Sequence, residues 1–275
     1  MKSAGLSCLS LILVAAMSAA DAPPPVQGSA VWKWEDLVAK PTPVGERRDI
    51  ANAPTATLER FTYHASTLLP GRASHAPHTH AQEELIVVKA GTLEVHLNGA
   101  VERVGAGSVL FFGSNDAHAV TNVGDVPATY QVFNFYTAAT RTLGGRAARE
   151  AADAAKTGSA VFAWDRLAVA PTGTGERRQV RNAATTTLAS LSCHVTTLRG
   201  GIAAHAAHRH PDEELVLVKE GEIEVTINGR SQRAGPGAVF FFASNDEHGM
   251  RNAGDSTASY YVIRFSSDRT PARGH

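Results

Sequence analysis

Residues 75–91 read HAPHTHAQEELIVVKAG, and residues 205–221 read HAAHRHPDEELVLVKEG. The two stretches lie 130 residues apart and hold their histidines and glutamates at the same places. Outward from them, the chain repeats itself at the same offset. WEDLVAKPTPVGERRDIANAPTATL from Trp34 returns as WDRLAVAPTGTGERRQVRNAATTTL from Trp164. GTLEVHLNG from Gly91 returns as GEIEVTING from Gly221, and VGAGSVLFFGSNDAHAVTNVGD from Val104 as AGPGAVFFFASNDEHGMRNAGD from Ala234. A period this long is not that of a solenoid; it marks a duplicated domain of about 110 residues, an ordinary domain size.

The pattern divides the chain into an N-terminal segment 1–20, a first domain 21–138, a joining segment 139–160 and a second domain 161–275. The joining segment is Ala-rich with scattered charges, and is expected to be a short helix or a flexible linker. The opening MKSAGLSCLSLILVAAMSAA has Lys2, an apolar stretch and small residues at its end. That is the layout of a secretory signal peptide. The apolar stretch is short of the ~20 residues that span a bilayer, so a retained anchor is the weaker alternative. The expectation is an exported, periplasmic or secreted protein with no membrane association after cleavage.

Composition excludes other classes. The 275 residues carry 26 basic and 26 acidic side chains, and no Lys/Arg run forms a nucleic-acid surface. Beyond residue 20 only one cysteine remains, Cys193, so no internal disulfide is expected there. Its apolar and small neighbours make it a buried small hydrophobe.

Within each copy the local signal is β. ELIVVK, TLEVHL, SVLFF and TYQVFNFY are short runs of strand-forming residues separated by turn signals, among them Asn98-Gly99, a strong hairpin marker. Many short strands at close spacing favour a sandwich or barrel.

Ten of the twelve histidines form five pairs at the offset of 130: 64/194, 75/205, 78/208, 80/210 and 118/248. Elsewhere the copies have drifted; Tyr63 faces Cys193 and Arg72 faces Ile202. Histidines without a purpose would have drifted too. On an extended chain, residues of equal parity share a face. His78, His80 and Glu84 then point the same way, with Ile86 and Val88 beside them, and His118 arrives from a later strand. Three neutral imidazoles and a carboxylate are costly to bury together without a compensating charge. A divalent cation supplies it. Nitrogen and oxygen donors without thiolate suit Mn, Fe, Ni, Co or Zn.

The pattern H-x-H-x3-E-x6-G, followed by a later H-x3-N, resembles the two motifs of the cupin superfamily. In the first copy it falls on His78, His80, Glu84, Gly91, His118 and Asn122, and in the second on His208, His210, Glu214, Gly221, His248 and Asn252. Both halves match, so the chain resembles a bicupin. One departure is the turn before the second-motif histidine, FFGSND or FFASND, where the family usually has Pro-x-Gly. The resemblance implies an all-β protein of two tandem cupin β-barrels of the jelly-roll type. It implies one divalent metal ion per barrel, Mn or Fe first and Ni, Co or Zn as alternatives. The metal ligands would be His78, His80, Glu84 and His118 in one barrel, and His208, His210, Glu214 and His248 in the other.

Other repeated residues are assigned less directly. His75 and His205 either orient a ligand or lie on an exposed loop, and the loop is favoured. Glu83 and Glu213 have the wrong parity and should point away from the metal. Lys89 and Lys219 should lie on the outer surface. The GERR arginines either anchor a carboxylate substrate or pair with carboxylates across the domain interface, and the second is favoured. No acid/base residue is identified.

The resemblance to bicupins such as the oxalate decarboxylase-like proteins implies an enzyme for a small carboxylate or enol substrate, of decarboxylase or oxidase/dioxygenase type. The alternative is a non-catalytic periplasmic binding or sensing bicupin whose metal is structural. Pockets closed by bulky side chains would favour the alternative. The two domains are expected to pack as an intramolecular pseudo-dimer, with or without further homo-oligomer.

Overall fold

The computed structural model describes residues 24–143 and 158–272. The expected signal peptide and residues 144–157 of the joining segment lie outside the described residues. The first half contributes β1 (Ala30–Trp32), β2 (Lys40–Thr42), β3 (Gly45–Ala53), β4 (Arg60–Leu68), β5 (Glu83–Ala90), β6 (Thr92–Leu97), β7 (Ala100–Gly105), β8 (Val109–Phe112), β9 (His118–Asn122), β10 (Ala128–Tyr136) and one short helix, α1 (Ala138–Thr142). The second contributes β11 (Ala160–Phe162), β12 (Val169–Thr172), β13 (Gly175–Ala183), β14 (Ser190–Leu198), β15 (Ala203–His208), β16 (Glu213–Glu220), β17 (Ile223–Ile227), β18 (Arg230–Ala234), β19 (Val239–Phe242), β20 (His248–Asn252) and β21 (Ala258–Ser266).

Each half is a two-sheet jelly roll, hydrogen-bonded as two open sheets rather than one closed ring. The larger sheets run β11-β8-β5-β10-β4-β3-β2 and β1-β19-β16-β21-β14-β13-β12, and the smaller ones β7-β6-β9 and β15-β20-β17-β18. The hairpins form where Asn-Gly predicts them. Asn98 and Gly99 both have positive φ, 49° and 88°, between the paired residues Leu97 and Ala100. That is the twist-matched two-residue turn.

The larger sheets contain one strand each from the opposite half. β1 pairs with β19 of the second half, Ala30 opposite Phe241, and β11 pairs with β8 of the first half, Ala160 opposite Phe111. Residues 158–160, at the end of the expected linker, are therefore part of an ordered arm. After each arm the chain crosses back past a tryptophan. Trp34 has Arg48 and Lys89 over its ring, and Trp164 has Arg178 and Lys219 over its own. Lys219 is half-buried there, and Lys89, although exposed, covers Trp34. Lys89 is thus on the surface as expected and Lys219 partly so, and each covers a tryptophan at a crossing point.

Strand alternation distributes each large sheet between two cores. On β4 and β5, Phe61, Tyr63, Leu85 and Val87 face the other half, where they meet Leu215, Phe241, Ile263 and Phe265 in one shared apolar cluster. The opposite parity, Ile86 and Val88 with Leu110 and Val132, packs the interior of the first barrel. Burial on both faces is why these strands read as continuous apolar runs.

Glu83 lies on the interface face, as its parity requires, and is fully buried (0% exposed). The hydroxyls of Thr185 and Thr187 from the other half donate to its carboxylate, as does the Thr187 N–H at 3.3 Å. Glu213 is held reciprocally by Thr55 and Thr57, each at 2.6 Å. Burial pushes both carboxyls above the ordinary value against these hydrogen bonds. A carboxyl raised on folding contributes stability below its unfolded pKa and loses it as pH rises through the folded one. Glu83→Gln is therefore expected to flatten the fall in stability as pH rises above the ordinary carboxylate range, as read by urea denaturation of metal-free protein. An unchanged slope would mean that Glu83 stays ionised in the interface.

Candidate metal centres

The histidines expected to converge do so, but not along a single strand. In the first half Glu84 lies on β5 and His118 opens β9; His78 makes an isolated bridge with His118, and residues 79–82 are irregular. In the second half His208 ends β15, and a loop leads to Glu214 on β16. The loops keep the imidazoles together. Nitrogens of His78, His80 and His118 lie within 4.8 Å of one another, as do those of His208, His210 and His248.

Ring orientation is fixed from behind. His80 Nδ1 donates to Gln82 O at 2.8 Å, and His118 Nδ1 to Asp116 O at 2.8 Å. His210 Nδ1 donates to Asp212 O at 2.9 Å, and His248 Nδ1 to Asp246 O at 2.9 Å. A proton held on Nδ1 leaves Nε2 as a bare lone pair, the arrangement of a metal-bound histidine with its outer partner. The Nε2 atoms of His118, His210 and His248 are buried and make no hydrogen bond. Phe112 stacks on His118 and Phe242 on His248, each with ring centroids 4.2 Å apart. Burial pushes the His118 pKa down to about 4, so its ring is neutral and able to donate an electron pair. The donor set and these orphaned nitrogens fit a divalent cation.

Glu84 Oε atoms lie 3.8 Å from His80 Nε2 and 3.9 Å from His118 Nε2; Glu214 lies 3.5 Å from His210 Nε2. Burial raises the Glu84 carboxyl to about 7, opposed by the charge of Arg47. Burial also pushes Glu214 up, but its close approach to His210 and His248 and the charge of Arg264 outweigh it and hold the group below its ordinary value. The histidines contribute most to this difference, and one exchange in register adds to it. Arg264 stands across from Glu214, where Asn134 stands across from Glu84.

Each cluster opens into a cavity, about 410 Å³ in the first half and about 380 Å³ in the second. Arg47 lines the first and Arg177 the second. This corrects the favoured reading of GERR. Arg47 is hydrogen-bonded within its own strand to Asp49 at 2.7 Å, and Arg48 and Arg178 lie on the tryptophans; among the described residues no GERR arginine bridges the interface to a carboxylate of the other half. Alternation along β3 separates the two arginines to opposite faces, a signal present in the sequence.

His64 and His194 also line the cavities. The sequence pairs them but gives them no role. Burial, aided by nearby arginine charge, pushes them down to about 3 and about 4, so both are neutral cavity walls. His75 and His205 are exposed as favoured, yet both reach the cavities, with rings 3.9 Å from His78 and 4.4 Å from His208. Cys193 is fully buried, and burial raises its thiol to about 12, which makes it an inert core residue.

The family model for the cupin domain matches twice, at residues 65–134 and 194–264. The chain belongs to the cupin family. Because the domain occurs twice, it is a bicupin. Solved structures of similar fold include an oxalate decarboxylase–formate complex from Lactobacillus farciminis (15% identity, 89% of each chain, TM-score 0.64). AerE from Microcystis aeruginosa is similar at 14% identity over 83% of this bicupin and 97% of AerE, with TM-score 0.63. An oxalate decarboxylase from Bacillus subtilis, described as having Mn(II) centres, is similar at 14% identity over 90% of this chain and 79% of that one, with TM-score 0.62. At these identities the likeness carries the fold alone. No curated protein sequence matches the chain.

Proposed function

We propose that this bicupin is an exported enzyme that uses a divalent metal, Mn or Fe, to act on a small carboxylate or enol substrate by decarboxylation or oxidation. The observation that carries the reading is the pairing, twice in one chain, of inward-facing unprotonated Nε2 atoms with an open cavity bearing an arginine. His78, His80, His118 and Glu84 would hold one ion, and His208, His210, His248 and Glu214 the other. A bound cation of this kind supplies Lewis acidity toward a carboxylate or enol oxygen.

The chain's own residues do the rest. Ile86, Phe112 and Val132 give the first cavity a water-poor wall, and Arg47 offers a charged donor on its lining. In the second cavity Arg177 and Arg264 both line the space. Arg264 also pairs loosely with Asp212, at 3.8 Å, which leaves its guanidinium able to share a ligand. Open cavities favour an enzyme over a binding module with a closed, structural metal.

The test is metal content per chain in protein exported to its natural compartment, with His78→Ala and His208→Ala beside it, followed by assays of CO2 release and oxygen uptake on small acids. Two equivalents of Mn or Fe, one lost in each variant, together with turnover, are expected. Metal without turnover leaves the binding or sensing module, and a metal-free, folded wild type overturns both metal readings. A second measurement separates the barrels. Arg264→Ala should weaken capture of a small dicarboxylate by about tenfold or more, the loss of one hydrogen bond to a charged group. Calorimetry on a His78→Ala background reads it; an unchanged Kd would remove Arg264 from the ligand.

A further inference from the structure

The duplication reaches further toward the N-terminus than the metal motifs suggest: Gly28-Ser29-Ala30-Val31 returns as Gly158-Ser159-Ala160-Val161. These are the arms that cross to the opposite half. Each arm delivers its serine to the loop that precedes the last ligand histidine of the other half. The Gly113 N–H donates to Ser159 Oγ at 2.7 Å, and Ser159 Oγ donates to Asp116 Oδ2 at 2.6 Å. In mirror fashion the Ala243 N–H donates to Ser29 Oγ at 2.9 Å, and Ser29 Oγ donates to Asp246 Oδ2 at 2.5 Å.

The braced loop is the one that aims the imidazoles. Asn115 N–H donates to the carbonyl of His80 at 2.8 Å, and the carbonyl of Asp116 accepts from His118 Nδ1 at 2.8 Å. In the other half Asn245 N–H donates to the His210 carbonyl at 2.9 Å, and the Asp246 carbonyl accepts from His248 Nδ1 at 2.9 Å. Asn115 and Asn245 are held at positive φ, 61° and 63°, which needs support from the surroundings. Asp116 is further fixed by Asn98 Nδ2 at 2.8 Å.

We propose that each repeat positions the metal-binding histidines of the other. Ser159, from the second repeat, is a positioning residue for the His80/His118 centre, and Ser29, from the first repeat, is one for the His210/His248 centre. The proposal rests on the metal-binding reading above. Without the serine hydroxyl a loop N–H and an aspartate oxygen each lose a partner, and the carbonyl that orients the ligand imidazole loses its brace. Outer partners of this kind change metal affinity by about 10–100-fold.

Crossed dependence is the feature that a merely structural role would not produce. The experiment titrates Co2+ into metal-free full-length protein and follows its visible absorption, which reports ligand geometry as well as affinity. On a His208→Ala background, where only the first centre works, Ser159→Ala should weaken Co2+ binding by about 10–100-fold and alter the spectrum. Ser29→Ala should leave that centre unchanged. On a His78→Ala background the two serines should exchange roles. Ser159→Thr, which keeps the hydroxyl, should restore binding at the first centre. If Ser159→Ala does not fold, Ser159→Cys, with a weak donor of similar bulk, takes its place. Absence of Co2+ binding by the wild type would defeat the metal reading itself. Normal wild-type binding, with both serine variants unaltered or each weakening both centres alike, would overturn this proposal alone.

Discussion

Replacing His118 by alanine is expected to empty the first centre and leave the second loaded. His118 is only 2% exposed, its Nδ1 is tied to Asp116 and its face is covered by Phe112, so its Nε2 is held in one place facing the other histidines. Losing an outer partner of a metal ligand costs about 10–100-fold in affinity, and losing the ligand itself should exceed that range. His248→Ala should do the same to the second centre. After dialysis against a weak chelator, each variant should retain one equivalent of metal where the wild type retains two. If His118→Ala kept both equivalents, the His78/His80/His118 cluster would not be a metal centre.

The two histidine clusters were legible because a duplicated sequence is its own comparison: histidines that matched at the offset of 130 stood out from positions that had drifted. The β architecture was legible from Asn98-Gly99 and from short apolar runs. Two things were not. The first was the exchange of arms. AVW and AVF are too short to signal a partner, and pairing across the pseudo-dimer is decided by the tertiary fit of β1 on β19 and β11 on β8. The second was the destination of Glu83. Parity placed it away from the histidine cluster, as found, but parity names a face and not what lies on it. Thr185 and Thr187 come from the other half, and no local pattern joins them to Glu83. The arginines of GERR were readable in principle, since neighbours on a strand take opposite faces. The bulge between Asp49 and Ala51, later on the same strand, does not disturb that split.

Phe241→Ala is expected to cost about 3–5 kcal/mol, as large aromatic truncations in a packed core do, and to destabilise both halves at once. Phe241 is fully buried, stacks on Phe61 of the first half at 5.8 Å and 10°, and packs against Trp32 of the exchanged arm at 6.3 Å and 22°. It belongs to a cluster drawn from both halves, whereas each barrel's own interior cluster is smaller. With the largest core lying between the halves, and with β1 and β11 exchanged across it, neither half buries its main apolar face alone. Calorimetry of the wild type should therefore give one unfolding transition rather than two. The variant should shift that single transition downward by roughly 2–4 °C per kcal/mol. A far-UV dichroism melt should follow the same curve as loss of Co2+ absorption from either centre. Two transitions, with only the second half's signal moved by Phe241→Ala, would mean that the barrels fold independently and that the interface joins domains already stable.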